Sequence, residues 1–363
     1  MTRKLLIFIP SIEDGGVEKN LYILADYLYK NLNYLEIVTT SYNKKNYFNK
    51  KIKFIGPKYK FLLQKGRYFK YFISLIFLIK QIIISKRNLV IFTLQANIFA
   101  IVIAKIFFIR IIARSNSSPS GWSNNPLKNV IFKFLLSKSD CVIVNSLAFK
   151  KQFLQKFSVR TKCIYNPFNK SIIKKKSNKK INFNFFSKKN LNIITVGRLT
   201  DQKDQITLLK SFILIKKKLK AKLLIIGKGV MHDNLKKFIN ENKIKNSVKL
   251  LGYCKNPHPY IKQSDIFILP SKFEGLPNVL LEAQFLKKYI ISTDCPTGPK
   301  EILLSGNAGT LFKVGDAARL SVLINNYKKK DTIKKIKIGF KHLNRFDYEK
   351  NCKKYLIIIS KYL

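Results

Sequence analysis

The sequence lacks the patterns that would tie it to a metal, a redox couple or a disulfide scaffold. Its five cysteines, Cys141, Cys163, Cys254, Cys295 and Cys352, show no CxxC or Cys/His spacing. That speaks against a metal site or a disulfide framework and fits a reducing compartment. No G-x-G-x-x-G fingerprint occurs, so no dinucleotide site is indicated. A DxD-type carboxylate pair is missing as well: Asp201 and Asp204 are too far apart to be one and flank Lys203. His232 and His258 lie in polar sequence with no partner pattern and receive no role. No repeat of the solenoid type is visible. Leu5–Ile9 is too short for a secretory signal and runs into Pro10 and an acidic pair, so it reads as a buried strand and the protein as cytoplasmic.

Uninterrupted apolar runs are missing too. Residues 69–113 are very apolar, yet Lys70, Lys80, Lys86, Arg87, Lys105 and Arg110 break every window, and none reaches the ~20 clean residues of a spanning helix. A buried helix, the strand Leu89–Leu94 and another helix are one reading. The other lays the lysine-flanked apolar face of Phe69–Ser85 in a membrane interface, peripherally on the inner face of the membrane.

Acidic residues are scarce: 19 Asp and Glu stand against 70 Lys and Arg, for a net charge of +51. Nucleic acid, anionic lipid or phosphorylated substrates would all answer such a charge. An AT-rich coding composition, with Lys, Asn, Ile, Phe and Tyr abundant together, answers it without function. A nucleic-acid reader should show a stacking surface or a reader motif beside the basic residues; none is seen, and no nucleic-acid partner is expected.

What is present is an alternation of short β-branched runs with helical periods. Hydrophobic residues make up 47% of 363 residues, enough for two packed domains. Strands are expected at Leu5–Pro10, Leu35–Thr40, Lys53–Ile55, Leu89–Leu94, Ile109–Arg114, Cys141–Asn145 and Lys162–Tyr165, with a helix over Val17–Lys30. A second series follows at Leu191–Val196, Lys222–Ile226, Val248–Leu251, Ile266–Leu269 and Tyr289–Ser292. Strands apolar on both faces belong to parallel sheets covered by helices. The charged, Asn-rich stretch 171–190 reads as a linker or a surface insertion between a first domain, 1–170, and a second, 191–345. Residues 346–363 suit one amphipathic helix.

Chemistry concentrates in the second domain. Glu274-Gly-Leu-Pro-Asn-Val-Leu-Leu-Glu282 follows a strand and opens a helix near Pro277. Amides around Leu276, Asn278 and Val279, together with the helix dipole, make an anion site there. Glu274 in the loop can reach a sugar, and Glu282 in the helix a ribose. Gly197-Arg198-Leu-Thr-Asp-Gln-Lys203 follows another strand; Arg198 supplies a planar fork and Lys203 a mobile charge, both suited to a diphosphate. Gly15-Gly16, before the first helix, permits close approach of a phosphate or sugar to the backbone. Gly227-Lys-Gly229 is a further strand-to-helix turn, as readily structural as ligand-facing. Thr293–Glu301, with its Gly298-Pro299 turn, is a candidate sugar-contacting wall.

The GG loop, GRLTDQKD, LLIIGKG, SDIFILPSKFEGLPNVLLEA and STDCPTGPKEIL together resemble the large group 1 (glycogen-synthase-like) family of retaining glycosyltransferases. Its bacterial members build capsule, lipopolysaccharide and lipid-linked oligosaccharides. The resemblance runs almost end to end. It implies a GT-B fold, two Rossmann-like α/β domains facing a cleft, with the last helix crossing back to the first. It implies that Arg198 and Lys203 bind the donor diphosphate with Gly197 beneath, and that Glu282 holds the ribose. Glu274 with the Gly275, Leu276, Pro277, Asn278 and Val279 loop would face donor sugar and phosphate, with Gly16 across from it. A histidine that many relatives carry after a first-domain strand is replaced here by the run Ala113–Trp122; Arg114 or Asn116, with Gly15, would stand on the acceptor side. The implied reaction is metal-independent transfer of a hexosyl or N-acetylhexosaminyl group from a nucleotide sugar, UDP-linked by preference, to a glycan or lipid-linked glycan. A non-catalytic nucleotide-sugar-binding regulator on the same fold is the rival.

Overall fold

Lys4–Phe8 and Leu89–Thr93 are runs apolar on both sides, and they pair in parallel register, Leu5 beside Val90 and Ile7 beside Phe92. This pair is the centre of the first sheet in a computed structural model that describes residues 3–12, 15–32, 34–58, 66–119, 122–123, 125–216 and 219–363. Seven strands, β1 (Lys4–Phe8), β2 (Glu36–Val38), β3 (Lys53–Ile55), β4 (Leu89–Thr93), β5 (Arg110–Ser115), β6 (Cys141–Val144) and β7 (Lys162–Cys163), lie in the order β3-β2-β1-β4-β5-β6-β7. Six more form a second sheet: β8 (Leu191–Val196), β9 (Ala221–Ile226), β10 (Val248–Gly252), β11 (Ile266–Leu269), β12 (Tyr289–Thr293) and β13 (Thr310–Phe312), in the order β10-β9-β8-β11-β12-β13. Strand pairs in both sheets are parallel. Both have the doubly wound order of Rossmann-like domains, in which the chain reverses direction beside the first strand.

Alternate residues of β1 face opposite cores. Leu5 and Ile7 meet Leu21, Leu24 and Leu28 of the helix Gly16–Leu32; Leu6 and Phe8 meet Leu78, Ile82, Ala100 and Ile101 on the other side. The final helix, Tyr348–Ser360, begins where the Asp347 carboxylate accepts from the Lys350 amide at 3.0 Å. It buries Cys352, Tyr355 and Ile359 in the core that holds Leu5 and Ile7. The C-terminal segment thus completes the first unit, as the family resemblance implies.

The chain divides into Met1–Pro167 with Phe346–Leu363, and Phe168–Arg345. The stretch 171–190, expected as a linker or a surface insertion, is no free linker. It opens as the helix Lys170–Ser177, capped where the Asn169 side chain accepts from the Ile172 amide at 3.1 Å, with Ile173 buried. Asn256 donates to the Lys176 carbonyl at 2.9 Å and Phe183 packs edge-on against Tyr260, so the segment is part of the second unit. Its lysines hid the one buried isoleucine and the cap. Strand β13 was not expected from sequence.

Candidate active site

In a doubly wound sheet the loops on either side of the reversal diverge at the carboxyl ends of the strands and leave a crevice. In the second unit those loops follow β8 and β11. The first is 197–204, the second 270–277, and they are tied to each other. The Lys272 amide donates to the Gln202 carbonyl at 2.8 Å and Gln202 Nε2 to the Phe273 carbonyl at 2.9 Å. Lys272 Nζ lies 2.6 Å from Asp201. The two strongest sequence motifs therefore meet in one place.

Lys203 reaches across that junction, its Nζ 2.5 Å from Glu274 Oε1, which also accepts from the Ser271 hydroxyl at 2.6 Å. Both members are largely buried, with side-chain exposures of 16% and 6%. A desolvated, hydrogen-bonded pair of this kind holds its loops in one geometry. The Glu274 carboxylate is thus held toward Lys203 inside the loop. Arg198 contrasts with this pair. Its backbone carbonyl accepts from Gln205 at 2.9 Å, while its side chain is exposed and finds no acceptor among the described residues.

Glycine sets how closely the neighbouring turns approach. A Cβ at Gly227 would fall 1.8 Å from the Gly197 carbonyl oxygen, and one at Gly298, where φ is +81°, 1.7 Å from that of Gly275. Gly227 thus has a structural role, backing the Arg198 loop. The Thr293–Glu301 segment braces the Glu274 loop from behind, with the Thr297 hydroxyl donating to the Glu274 carbonyl. Cys295 beside it is no nucleophile: burial first, and the Glu274 carboxylate second, push its thiol up to about 11.

The helix Asn278–Phe285 starts directly after this loop, with Pro277 at its cap position and Leu280, Leu281 and Ala283 buried. Glu282 projects from it and is 3% exposed. Its Oε2 lies 3.3 Å from Nε2 of His258, itself 2% exposed, whose Nδ1 bonds Asn256 Oδ1 at 2.7 Å. His258 was given no role from sequence because its partner is twenty-four residues away and one strand over. The signal available was its place in Pro257-His258-Pro259, which opens the short helix His258–Gln263 beneath β11. Asp201 is taken by Lys272, and Asp204 accepts from the Thr207 hydroxyl at 2.7 Å.

In the first unit the same reversal lies between β1 and β4. Gly16 is exposed and opens the first helix, and Gly15 precedes it; the acidic pair at 13–14 lies outside the described residues. Glu18, in the helix's first turn and buried, accepts from Gln95 Nε2 at 3.5 Å, and the Asn116 amide donates to the Leu94 carbonyl at 2.9 Å. Glu18 and Gln95 were missed in the sequence, where neither belongs to a motif. Arg114 corrects the acceptor-side expectation. It is fully buried and donates to the Tyr355 hydroxyl at 2.7 Å, to Asn166 at 2.8 Å and to Asn116. A guanidinium so enclosed joins the first strands to the last helix and is not presented to an acceptor. Ser120 and Gly121 of the run 113–122 lie outside the described residues.

Comparison with known proteins bears on the family and the fold. The family model for glycosyl transferases group 1 matches residues 176–353. An uncharacterized glycosyltransferase of Methanocaldococcus jannaschii is 34% identical over 50% of this chain and 48% of its own length. A Campylobacter jejuni protein is 30% identical over 56% of each chain, and its name is N-acetylgalactosamine-N,N'-diacetylbacillosaminyl-diphospho-undecaprenol 4-alpha-N-acetylgalactosaminyltransferase. The chain spans about half the length of these curated relatives. Among solved structures, Anabaena HepE in complex with UDP and glucose superposes with a TM-score of 0.77 at 17% identity, covering 99% of this chain and 100% of that one. At that identity the likeness speaks for the fold, the pair of Rossmann-like units of the GT-B class. Residues 176–353 are thus a group 1 glycosyl transferase domain, in a chain whose fold over nearly its whole length is of the GT-B class.

Proposed function

We propose that the protein is a retaining glycosyltransferase that moves a sugar from a nucleoside-diphosphate donor, UDP-linked by preference, to a growing bacterial surface glycan or its lipid-linked precursor. The observation that carries this reading is Arg198: an exposed guanidinium with no acceptor among the described residues, at the carboxyl end of β8, beside a cation locked in place by Glu274. Two positive groups and the start of the helix Asn278–Phe285 converge where a diphosphate would gain charge as it departs. Glu282, positioned by His258, is the ribose acceptor on this reading, and it must turn out of its buried place to serve. The undecaprenol-linked substrate in the Campylobacter protein's name and the UDP in the HepE structure support acceptor and donor class.

In the step itself, the bond between the anomeric carbon and the diphosphate oxygen breaks while the acceptor oxygen bonds that carbon on the same face. The acceptor proton passes to the leaving phosphate, so no protein nucleophile is needed. Arg198 and Lys203 offset the charge on the diphosphate without a divalent ion. Gln95 and Asn116, just past the carboxyl ends of β4 and β5, offer the acceptor hydroxyls hydrogen-bonding partners.

The test is a panel of nucleotide sugars scored for donor hydrolysis and for protection against thermal unfolding, with and without EDTA. A UDP-sugar should protect and be slowly hydrolysed in both conditions. Protection by no nucleotide sugar would remove the reading, and activity lost in EDTA and restored by Mg²⁺ or Mn²⁺ would remove its metal-free form.

A further inference from the structure

A helix at the surface of a soluble domain carries one apolar stripe, turned to the core. Three helices on one face of the first sheet carry two. In Arg67–Ile84 the inner stripe includes Leu78 and Ile82, both fully buried, yet Phe72, Ile76 and Ile83 stand outside at 62%, 46% and 62% exposure. Asn97–Ile106 buries Ala100, Ile101 and Ala104 and turns Phe99, Val102 and Ile106 outward. Pro126–Ser137 buries Leu136 and leaves Leu127, Val130 and Phe134 exposed, at the same three- and four-residue spacing. The three helices touch in sequence, Tyr71 of the first meeting Phe99 of the second edge-on, and share one core cluster. Phe108, after the second helix, is 87% exposed. The outward stripes therefore adjoin as a broad apolar surface, far beyond the scattered exposed apolar residues normal for a monomer.

The charge around it has one sign. No acidic residue occurs between Glu36 and Asp140, while Lys70, Lys80, Lys128, Lys133 and Lys138 lie on these helices or at their ends. A second copy of the chain would bring the same positive field against itself. A surface of aromatic and aliphatic side chains set among lysines matches a bilayer whose headgroups are negative, apolar groups entering the acyl boundary and lysines pairing with phosphates. No helix is long and apolar enough to cross a membrane among the described residues. We infer that the first unit docks peripherally on an anionic lipid surface through the helices Arg67–Ile84, Asn97–Ile106 and Pro126–Ser137. This goes beyond the transferase reading and does not depend on it.

Flotation of the full chain with vesicles of phosphatidylcholine alone, or with about a third phosphatidylglycerol, tests the inference apart from any activity. Recovery should be at least ~10-fold higher on the anionic vesicles and should fall as salt is raised to about 0.5 M. Phe72→Ser combined with Phe134→Ser should lower recovery on anionic vesicles at least ~5-fold. Because both side chains point outward, circular dichroism and the thermal midpoint should stay at the parent's. Recovery that is absent or equal on the two vesicles overturns the inference. So does a folded double variant that floats like the parent. A parent that sediments as a dimer, made monomeric by the same two substitutions, would give the face to a second copy and overturn it as well.

Discussion

The two units share a strand order and a reversal point but put opposite chemistry there. At the carboxyl ends of β8 and β11 the second unit sets Arg198, Lys203, Glu274 and Glu282. At the corresponding place in the first unit stand amides and one carboxylate, Gln95, Asn116 and Glu18, and the arginine nearby is sealed into the framework. On the proposed reading one topology would serve a polyanion in one unit and hydroxyl-bearing groups in the other, with only side chains deciding which. The outer surfaces differ in the same way: the exposed apolar stripes belong to the first unit, and the family match covers chiefly the second.

The comparison breaks most readily at its two arginines. Arg114→Met leaves Asn166 and the Tyr355 hydroxyl without their donor in a closed interior. It should cost about 2–4 kcal/mol in urea unfolding, from about 1–3 kcal/mol for each buried group left unsatisfied. Arg198→Ala removes an exposed side chain and should leave stability within about 0.5 kcal/mol, while transfer falls ~10–100-fold as charge-assisted bonds to the diphosphate disappear. Unfolding curves and single-turnover transfer on both variants give the answer. If Arg114→Met is as stable as the parent, or Arg198→Ala transfers at the parent rate, the arginines have been sorted wrongly.

That sorting shows what could be read from sequence and what could not. The central strands were legible because β-branched runs such as Leu191–Val196 and Ile266–Leu269 carry their own period and turn signals. The second unit's motifs were legible because each is local: a strand, a glycine turn and a charged residue within ten positions. Arg114 was misread because it closes the expected strand Ile109–Arg114, where a ligand residue would stand, and its partners are fifty-two and 241 positions away. His258 escaped for the same reason, lying near Glu282 only once β11 separates their helices. The outward stripes were seen in Phe69–Ser85 alone, since a second stripe can be told from the first only when the sheet shows which side is inside.

A smaller effect separates the glutamates. Glu282→Gln keeps size but removes the charge that accepts from ribose hydroxyls, so nucleoside diphosphate affinity should fall by roughly 1–2 kcal/mol in calorimetry. Glu274→Gln should spare that affinity and slow transfer, because its carboxylate holds Lys203 in place. Two variants that bind and transfer like the parent would reduce both carboxylates to framework groups, Glu274 holding Lys203 and Glu282 facing His258, and the contrast between the units would lose its functional content.

The smallest effect asks whether every buried cation of the second unit belongs to its site. Lys288, at the end of the loop before β12, donates to the carbonyls of Lys262 at 2.6 Å and Ser264 at 2.7 Å. Burial lowers its pKa from 10.5 to about 8, against the pull of Asp265 and with small help from Lys329 and Lys262. Between those two values the unfolded chain holds the proton that the folded chain has released. Stability therefore rises with pH across the window, the full penalty being present below about 8 and relieved toward 10.5. From pH 7.5 to 9 the parent should gain about 1 kcal/mol relative to Lys288→Met, whose own unfolding profile lacks this contribution. Tyr289 and Tyr327 nearby, both raised mainly by burial, act above this range. Nucleotide affinity should be the same in parent and variant, since Lys288 touches neither loop of the crevice. Parallel stability profiles would mean that Lys288 is solvated. A loss of nucleotide affinity would mean that the donor site reaches further along the sheet than the loops after β8 and β11.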